Sequence, residues 1–242
     1  MKNIIAMWSG PRNVSTALMR AFGNRSDTAV LDEPFYAHYL FKTGIEHPNR
    51  DAIIDSQSIE WDKIVDTCIG PIPEGRSIWY QKHMAQHNLD GYDIKWIRNL
   101  NNCILIRNPK YVIASYNKQY PINDQFCLGY IQQVEIIKYL ENEKGMTPPI
   151  LDANDILQNP RAVLRKLCKK IGISFTDRML FWSKGEKEYD GVWGSYWYHR
   201  VNRSTGFEPY KEKKIDLDKN LIAIYDKCIE HYAMMFDKRI RP

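Results

Sequence analysis

The sequence has no Cys-x-x-Cys pair, no Gly-Lys-Ser/Thr ending to a glycine-rich loop, no apolar run near membrane-span length and no concentrated basic stripe. Each absence removes a class of protein. The five cysteines, Cys68, Cys103, Cys127, Cys168 and Cys228, sit singly among apolar neighbours. Reduced, mostly buried thiols are therefore expected rather than a disulfide framework. A spanning helix needs about 20 consecutive apolar residues, so no membrane span is expected. Lys2 and the Asn-Ile-Ile-Ala-Met-Trp after it are too short for a signal peptide before Pro11-Arg12 interrupts, which points to a cytoplasmic protein. The net charge of +5 is spread through mixed-sign stretches such as Lys211-Glu212-Lys213-Lys214. That pattern argues against a nucleic-acid footprint and for a small acidic ligand held by a few placed Arg and Lys side chains. No metal-ligand cluster stands out, and no metal is expected.

At 242 residues, with 44% apolar and 26% charged side chains, the chain suits one α/β domain over residues 1–242. Strands are expected at 3–8, 29–31, 77–81, 103–106 and 149–151. Helices are expected at 14–23, after Pro34, at 59–69, between 81 and 103, from Pro109, at 124–143, at 160–171 and at 217–236. Residues 43–58 read as a loop, and 182–212 as a long aromatic segment. Strands alternating with helices imply a mostly parallel sheet flanked by helices on both faces, with ligands at the C-terminal strand ends.

Two stretches at such ends carry the chemistry. The first, Gly10-Pro11-Arg12-Asn13-Val14-Ser15-Thr16, follows the apolar run Ile4-Ile5-Ala6. It combines a tight turn, a fixed positive charge and two hydroxyls at a helix start. The second is Arg107, ending an apolar run, with Ser115 eight residues on inside the next helix. A guanidinium fork and a short hydroxyl donor suit a phosphate dianion. Two such sites suggest a ligand with anionic groups at both ends.

Pro-Arg-Asn-Val-Ser-Thr-Ala-Leu resembles the 5′-phosphosulfate loop of sulfotransferases that use 3′-phosphoadenosine 5′-phosphosulfate (PAPS), in the bacterial-type form. The resemblance places Pro11, Arg12, Ser15 and Thr16 on the sulfate-bearing phosphate, with Gly10, Asn13 and Val14 in the same loop; many members carry Gly where Val14 stands. It places Arg107 and Ser115 on the 3′-phosphate. A third match, Asp155, Pro160, Leu164, Leu167, Cys168 and Gly172-Ile173, implies a structural role. A weaker one at Trp193, Trp197 and Ser204-Thr205-Gly206-Phe207 brings Ser204 and Thr205 to the cofactor, and Arg200 and Arg203 toward the 3′-phosphate. The family implies a P-loop-like three-layer sandwich, PAPS as co-substrate and a small-molecule acceptor.

Sulfuryl transfer needs a base for the acceptor's proton and a cation for the charge on the transferring oxygens. Glu33, at a strand end 21 residues after Arg12, matches the family's carboxylate base. His83 is the rival base, with Lys82 beside it as the stabilising cation. Neighbours on an extended strand point to opposite faces, so Lys82 and His83 share one site only if the strand has already ended. The aromatic stretch 192–200 suits either stacking on a ligand or packing as a lid. A P-loop kinase or nucleotide hydrolase and a non-catalytic PAPS-binding protein remain the alternatives, and the oligomeric state is open.

Overall fold

The computed structural model describes residues 3–212 and 214–242. Five strands form one sheet: β1 (Asn3–Ser9), β2 (Thr28–Asp32), β3 (Ile78–Met84), β4 (Asn101–Ile106) and β5 (Ile150–Asp152). Every pairing is parallel and the order is β2-β3-β1-β4-β5. The chain leaves β1 toward β2 on one side and leaves β4 toward β5 on the other. The loops after β1 and β4 therefore diverge, opening a crevice at the C-terminal strand ends where a doubly wound sheet binds its ligand.

The helices are α1 (Ser15–Gly23), α2 (Tyr36–Thr43), α3 (Arg50–Ser56), α4 (Trp61–Ile69), α5 (Pro109–Tyr116), α6 (Tyr130–Lys144), α7 (Ala153–Gln158), α8 (Pro160–Ile171), α9 (Gly194–Trp197), α10 (His199–Arg203) and α11 (Lys219–Asp237). Alternation along the strands divides the core in two. Ile5 and Met7 of β1, with Tyr80 and Leu105, pack beneath α1, α2 and α8. Ile4, Ala6 and Trp8, with Trp79 and Ile104, pack against α5, α6 and α11. A sheet buried on both faces needs strands without a polar side, as the near-continuous apolar runs of β1 and β4 show. No helix among the described residues is long and apolar enough to cross a membrane.

Three expectations need correction. Residues 43–58 contain α3 instead of a continuous loop. The interval between β3 and β4 holds two 3₁₀ turns, Ala85–His87 and Lys95–Asn99, where a helix was expected. Most consequentially, β3 runs on to Met84, three residues past its expected end at Gln81.

The late segment 182–212 folds back over α1. Arg20, with a fully buried side chain, donates to both oxygens of Asp190 at 2.5 and 2.6 Å and to Asn202 Oδ1 at 3.1 Å. Trp182 and Gly185 bond back to the Thr205 and Asn202 carbonyls. An ion pair this deep is costly to break, because removing one partner strands a desolvated charge. Asp190→Asn is therefore expected to destabilise the fold by roughly 3–5 kcal/mol, read as the shift of the urea unfolding midpoint. A change within experimental scatter would show that Arg20 does not depend on this carboxylate.

Candidate active site

The crevice is a cleft of about 680 Å³ whose walls include Pro11 to Ala17, Glu33, Lys82, Arg107, Ser115 and residues of the late segment. Its basic wall is built by the two diverging loops. Asn13 ties the first to β4 through the Leu105 carbonyl, 3.1 Å from Nδ2. Gly10 lies behind the wall, where a Cβ would collide with the Leu128 carbonyl oxygen. Val14 precedes α1 in left-handed conformation at φ 59, and Arg12 is left-handed too, at φ 61. A β-branched residue in that region is a strained outlier of the kind that collects at functional sites. This is the position where many relatives by resemblance carry Gly.

That backbone leaves the N-terminus of α1 without a side-chain cap and without a carboxylate in its first turn. Its leading N–H groups, at Ser15, Thr16 and Ala17, border the cleft, a ready anion site. The second loop clasps the first. Arg12 Nε donates to Ser115 Oγ at 3.0 Å, and Arg107 Nη1 donates to the Arg12 carbonyl at 2.7 Å. The two basic motifs thus sit side by side in one wall.

Arg12 and Arg107 have no carboxylate partner among the described residues, and the buried Arg107 Nε has no hydrogen bond. Burial lowers both guanidinium pKa values; Arg200 lowers both further and Arg12 adds to that at Arg107, against opposing pulls from Tyr116 on Arg12 and from Tyr130 and Asp152 on Arg107. Such a cluster is compensated by an anion. Arg200 is held by Glu208. Ser204 lines the cleft, but its hydroxyl donates to the Val201 carbonyl at 2.7 Å and accepts from Trp182 Nε1 at 3.1 Å. Thr205 and Arg203 are not in the wall.

The same cleft is bordered by a buried polar knot. Lys82 Nζ donates to Asp32 Oδ1 at 2.9 Å, to Tyr198 Oη at 2.7 Å and to Glu33 Oε1. Tyr198 Oη in turn donates to Asp32 Oδ2 at 2.7 Å and accepts from Trp193 Nε1 at 3.0 Å. The Gly191 N–H adds a bond to Asp32 Oδ2 at 3.2 Å. Glu33 follows β2 with its backbone left-handed at φ 40. Burial raises its pKa and so does Asp32, while Lys82 pulls it down without cancelling the rise. Burial depresses Lys82, but Asp32 and Glu33 outweigh it and hold the ammonium charged.

His83 does not join this knot. Because β3 continues through it, its ring points to the other face of the sheet, stacked on Trp8 at 4.3 Å with Nε2 3.1 Å from Gln81 Oε1. Burial lowers its pKa to about 3. A neutral imidazole inside the far core, absent from the cleft wall, does not meet an acceptor.

Two members of the knot, Asp32 and Tyr198, carry no sequence signal that singles them out. Asp32 could have been read as the residue that keeps Lys82 charged, given adjacent strands in register, Asp32 opposite Lys82. The cleft is also lined by aromatic and imidazole side chains: Tyr36, His47, His87, Tyr116 and Trp197. Burial lowers the His47 pKa to about 4, and its Nδ1 lies 2.8 Å from the Tyr36 hydroxyl.

Among curated proteins, the chain is 36% identical over 234 residues to branched-chain-amino-acid aminotransferase-like protein 2 of Arabidopsis thaliana, covering 96% of this chain and 41% of that protein. It is likewise 36% identical over 211 residues to the like protein 1 of the same plant, covering 86% and 37%. The chain spans about two fifths of the length of these relatives. Three solved structures share the fold. The sulfotransferase domain of the Synechococcus PCC 7002 olefin synthase has 16% identity and TM-score 0.51, covering 94% of this chain and 95% of that one. The sulfotransferase domain from the curacin biosynthetic pathway has 15% and 0.52, covering 100% and 99%. A sulfotransferase from Alicyclobacillus acidocaldarius has 12% and 0.55, covering 99% and 97%. A family model described as Sulfotransferase domain matches residues 1–236, and the chain belongs to that family.

Proposed function

We propose that this chain transfers a sulfuryl group from PAPS to a hydroxyl or amine of a small-molecule acceptor. The observation that carries the reading is that one cleft brings two kinds of group together. It is lined by an uncapped helix start and two guanidinia without carboxylate partners, and by a carboxylate held above its usual pKa. The donor set fits a doubly anionic nucleotide, the orphaned Arg107 Nε being one unmet bond in that set.

Arg12, the α1 N–H groups, Ser15 and Thr16 hold the 5′ end, and Arg107 with Ser115 the 3′-phosphate. When bound, PAPS supplies the sulfuryl group and a phosphate leaving group. Glu33 accepts the acceptor's proton as its oxygen closes on sulfur, and a base of raised pKa suits this task near neutrality. Lys82 keeps positive charge beside the transferring oxygens, a contribution that grows in a water-poor cleft. Arg12 and Arg107 hold the donor in line, removing the orientational freedom that an encounter in water would have to lose.

The direct test has two arms. Thermal shift with 3′,5′-adenosine bisphosphate against ATP plus magnesium is expected to favour the bisphosphate; a preference for ATP would point to a kinase or hydrolase. Radiolabelled PAPS incubated with a small-molecule extract is expected to label an acceptor. No transfer beside clear bisphosphate binding would leave a binding protein instead.

Arg12→Ala is expected to weaken bisphosphate binding at least about tenfold, since a charge-assisted bond is worth about 1.5–3 kcal/mol. The ligand-free Tm is expected to stay near wild type, because this guanidinium faces neighbours of its own sign. A large ligand-free drop would make Arg12 a structural residue.

Glu33→Gln is expected to keep bisphosphate affinity while turnover falls by about 10²–10⁴. It also has a signature in stability. The folded protein holds the Glu33 proton more tightly than the unfolded chain, so wild-type stability falls as pH rises from the ordinary carboxylate range through the raised pKa. Gln removes that loss. The Tm of the variant relative to wild type is expected to climb with pH across that window, and a flat difference would mean that Glu33 titrates normally.

A further inference from the structure

An ammonium has three N–H donors and no acceptor, and all three of Lys82 are already used, by Asp32, Tyr198 and Glu33. With every donor spent inside the protein, Lys82 has none to offer a sulfuryl oxygen. The three bonds are not equivalent.

Asp32, Tyr198 and Lys82 close a ring: Lys82 donates to both, and Tyr198 donates to Asp32. The direction of the last bond is fixed, because Tyr198 Oη already accepts from Lys82 and from Trp193 Nε1 and has one proton to give. The ring lies deep, the Asp32 side chain being 1% exposed. The Glu33 side chain stands outside the ring at the cleft wall and is 10% exposed.

We propose that Tyr198 is a positioning residue: with Asp32 it fixes two bonds of Lys82, leaving the bond to Glu33 as the one that the acceptor exchanges. The inference rests on the reading of Glu33 as base. An acceptor hydroxyl entering the cleft donates to the Glu33 carboxylate in place of Lys82. The released N–H then turns to a sulfuryl oxygen while Asp32 and Tyr198 keep the nitrogen in place. The acceptor's oxygen–sulfur bond forms as the sulfur–oxygen bond to the 5′-phosphate breaks, the bonding pair staying on the phosphate oxygen and the proton passing to Glu33. The electrophilic help of Lys82 is thereby tied to the exchange of this one bond.

The groups facing Glu33 come from every element around it. They are Asp32 of β2, Lys82 of β3, Tyr36 of α2, Tyr116 of α5 and Tyr198 of the late segment. Burial raises the pKa of each of the three tyrosines, so they stay neutral, while Asp32 and Glu33 keep the Lys82 ammonium charged. The single Tyr198 proton is committed to Asp32, so Tyr198 reaches Glu33 through Lys82.

Nitrogen-15 NMR of the Lys82 ammonium in the bisphosphate-bound protein tests this. Tyr198→Phe is expected to lose the slow-exchanging wild-type signal, because one of the two partners then left to Lys82 is the exchangeable Glu33, with bisphosphate affinity unchanged. A folded variant that keeps that signal overturns the proposal, since a merely structural tyrosine would change Tm without freeing the ammonium. Should Tyr198→Phe fail to fold, Glu33→Gln still decides the matter. Nitrogen-15 NMR of its Lys82 ammonium is expected to keep the slow-exchanging wild-type signal, because two bonds remain. Loss of that signal would make Glu33 the anchor and overturn the proposal. Wild-type label transfer from PAPS by Glu33→Gln would instead overturn the reading of Glu33 as base, and leaves the two NMR results to speak for the positioning role.

Discussion

Lys82 can remain charged inside the sheet only because three distant parts of the chain converge on it. Asp32 ends β2, Glu33 turns out of it, and Tyr198 arrives 116 residues after Lys82. A desolvated ammonium without such partners would lose its proton or unfold its surroundings. The need to satisfy it therefore fixes the end of β2, the register of β2 on β3 and the docking of the late segment. The cleft lining around Glu33 is a by-product of that satisfaction.

The same convergence explains the buried pair between Arg20 and Asp190. Tyr198 and Gly191 reach the knot only if the segment carrying them lies flat over α1, and Asp190 is the neighbouring residue of Gly191. Arg20 sits on α1, whose uncapped first turn borders the cleft. One helix thus presents its start to the cleft and its buried flank to the segment that carries Tyr198. Shifts of α1 are felt at both.

Much of the fold was legible because it rests on local patterns. Apolar runs of about six residues and Pro- or Gly-bounded helices gave the alternation of a parallel sheet, and Pro160 to Ile171 was bounded by its own Pro and Gly172. The basic loops were legible for the same reason, each being a contiguous motif at a strand end. What was hidden depended on distances that periodicity does not carry. Whether β3 stopped at Gln81 or ran to Met84 decided the face of His83, and polar residues inside a buried strand give no apolar signal for its end. Asp32 carried no signal of its own until its register opposite Lys82 was known. Tyr198 was one aromatic among many. The clasp of Arg12 on Ser115 joins residues 103 positions apart, so two motifs read as opposite ends of a site proved to be neighbours.

The crowding of Arg12, Arg107 and Arg200 also bears on how the protein behaves in a tube. Arg200 disfavours the charge on Arg12 and Arg107, and Arg12 adds to that at Arg107, so on the proposed reading a small dianion is expected to relieve this repulsion. Species that bind the folded state alone stabilise it by mass action, in proportion to the logarithm of their concentration. Sulfate or phosphate in a buffer is then a weak competitor and a stabiliser at once. Melting temperatures and affinities acquire meaning for this protein only at a stated anion concentration, and a chloride or acetate buffer gives the truer baseline.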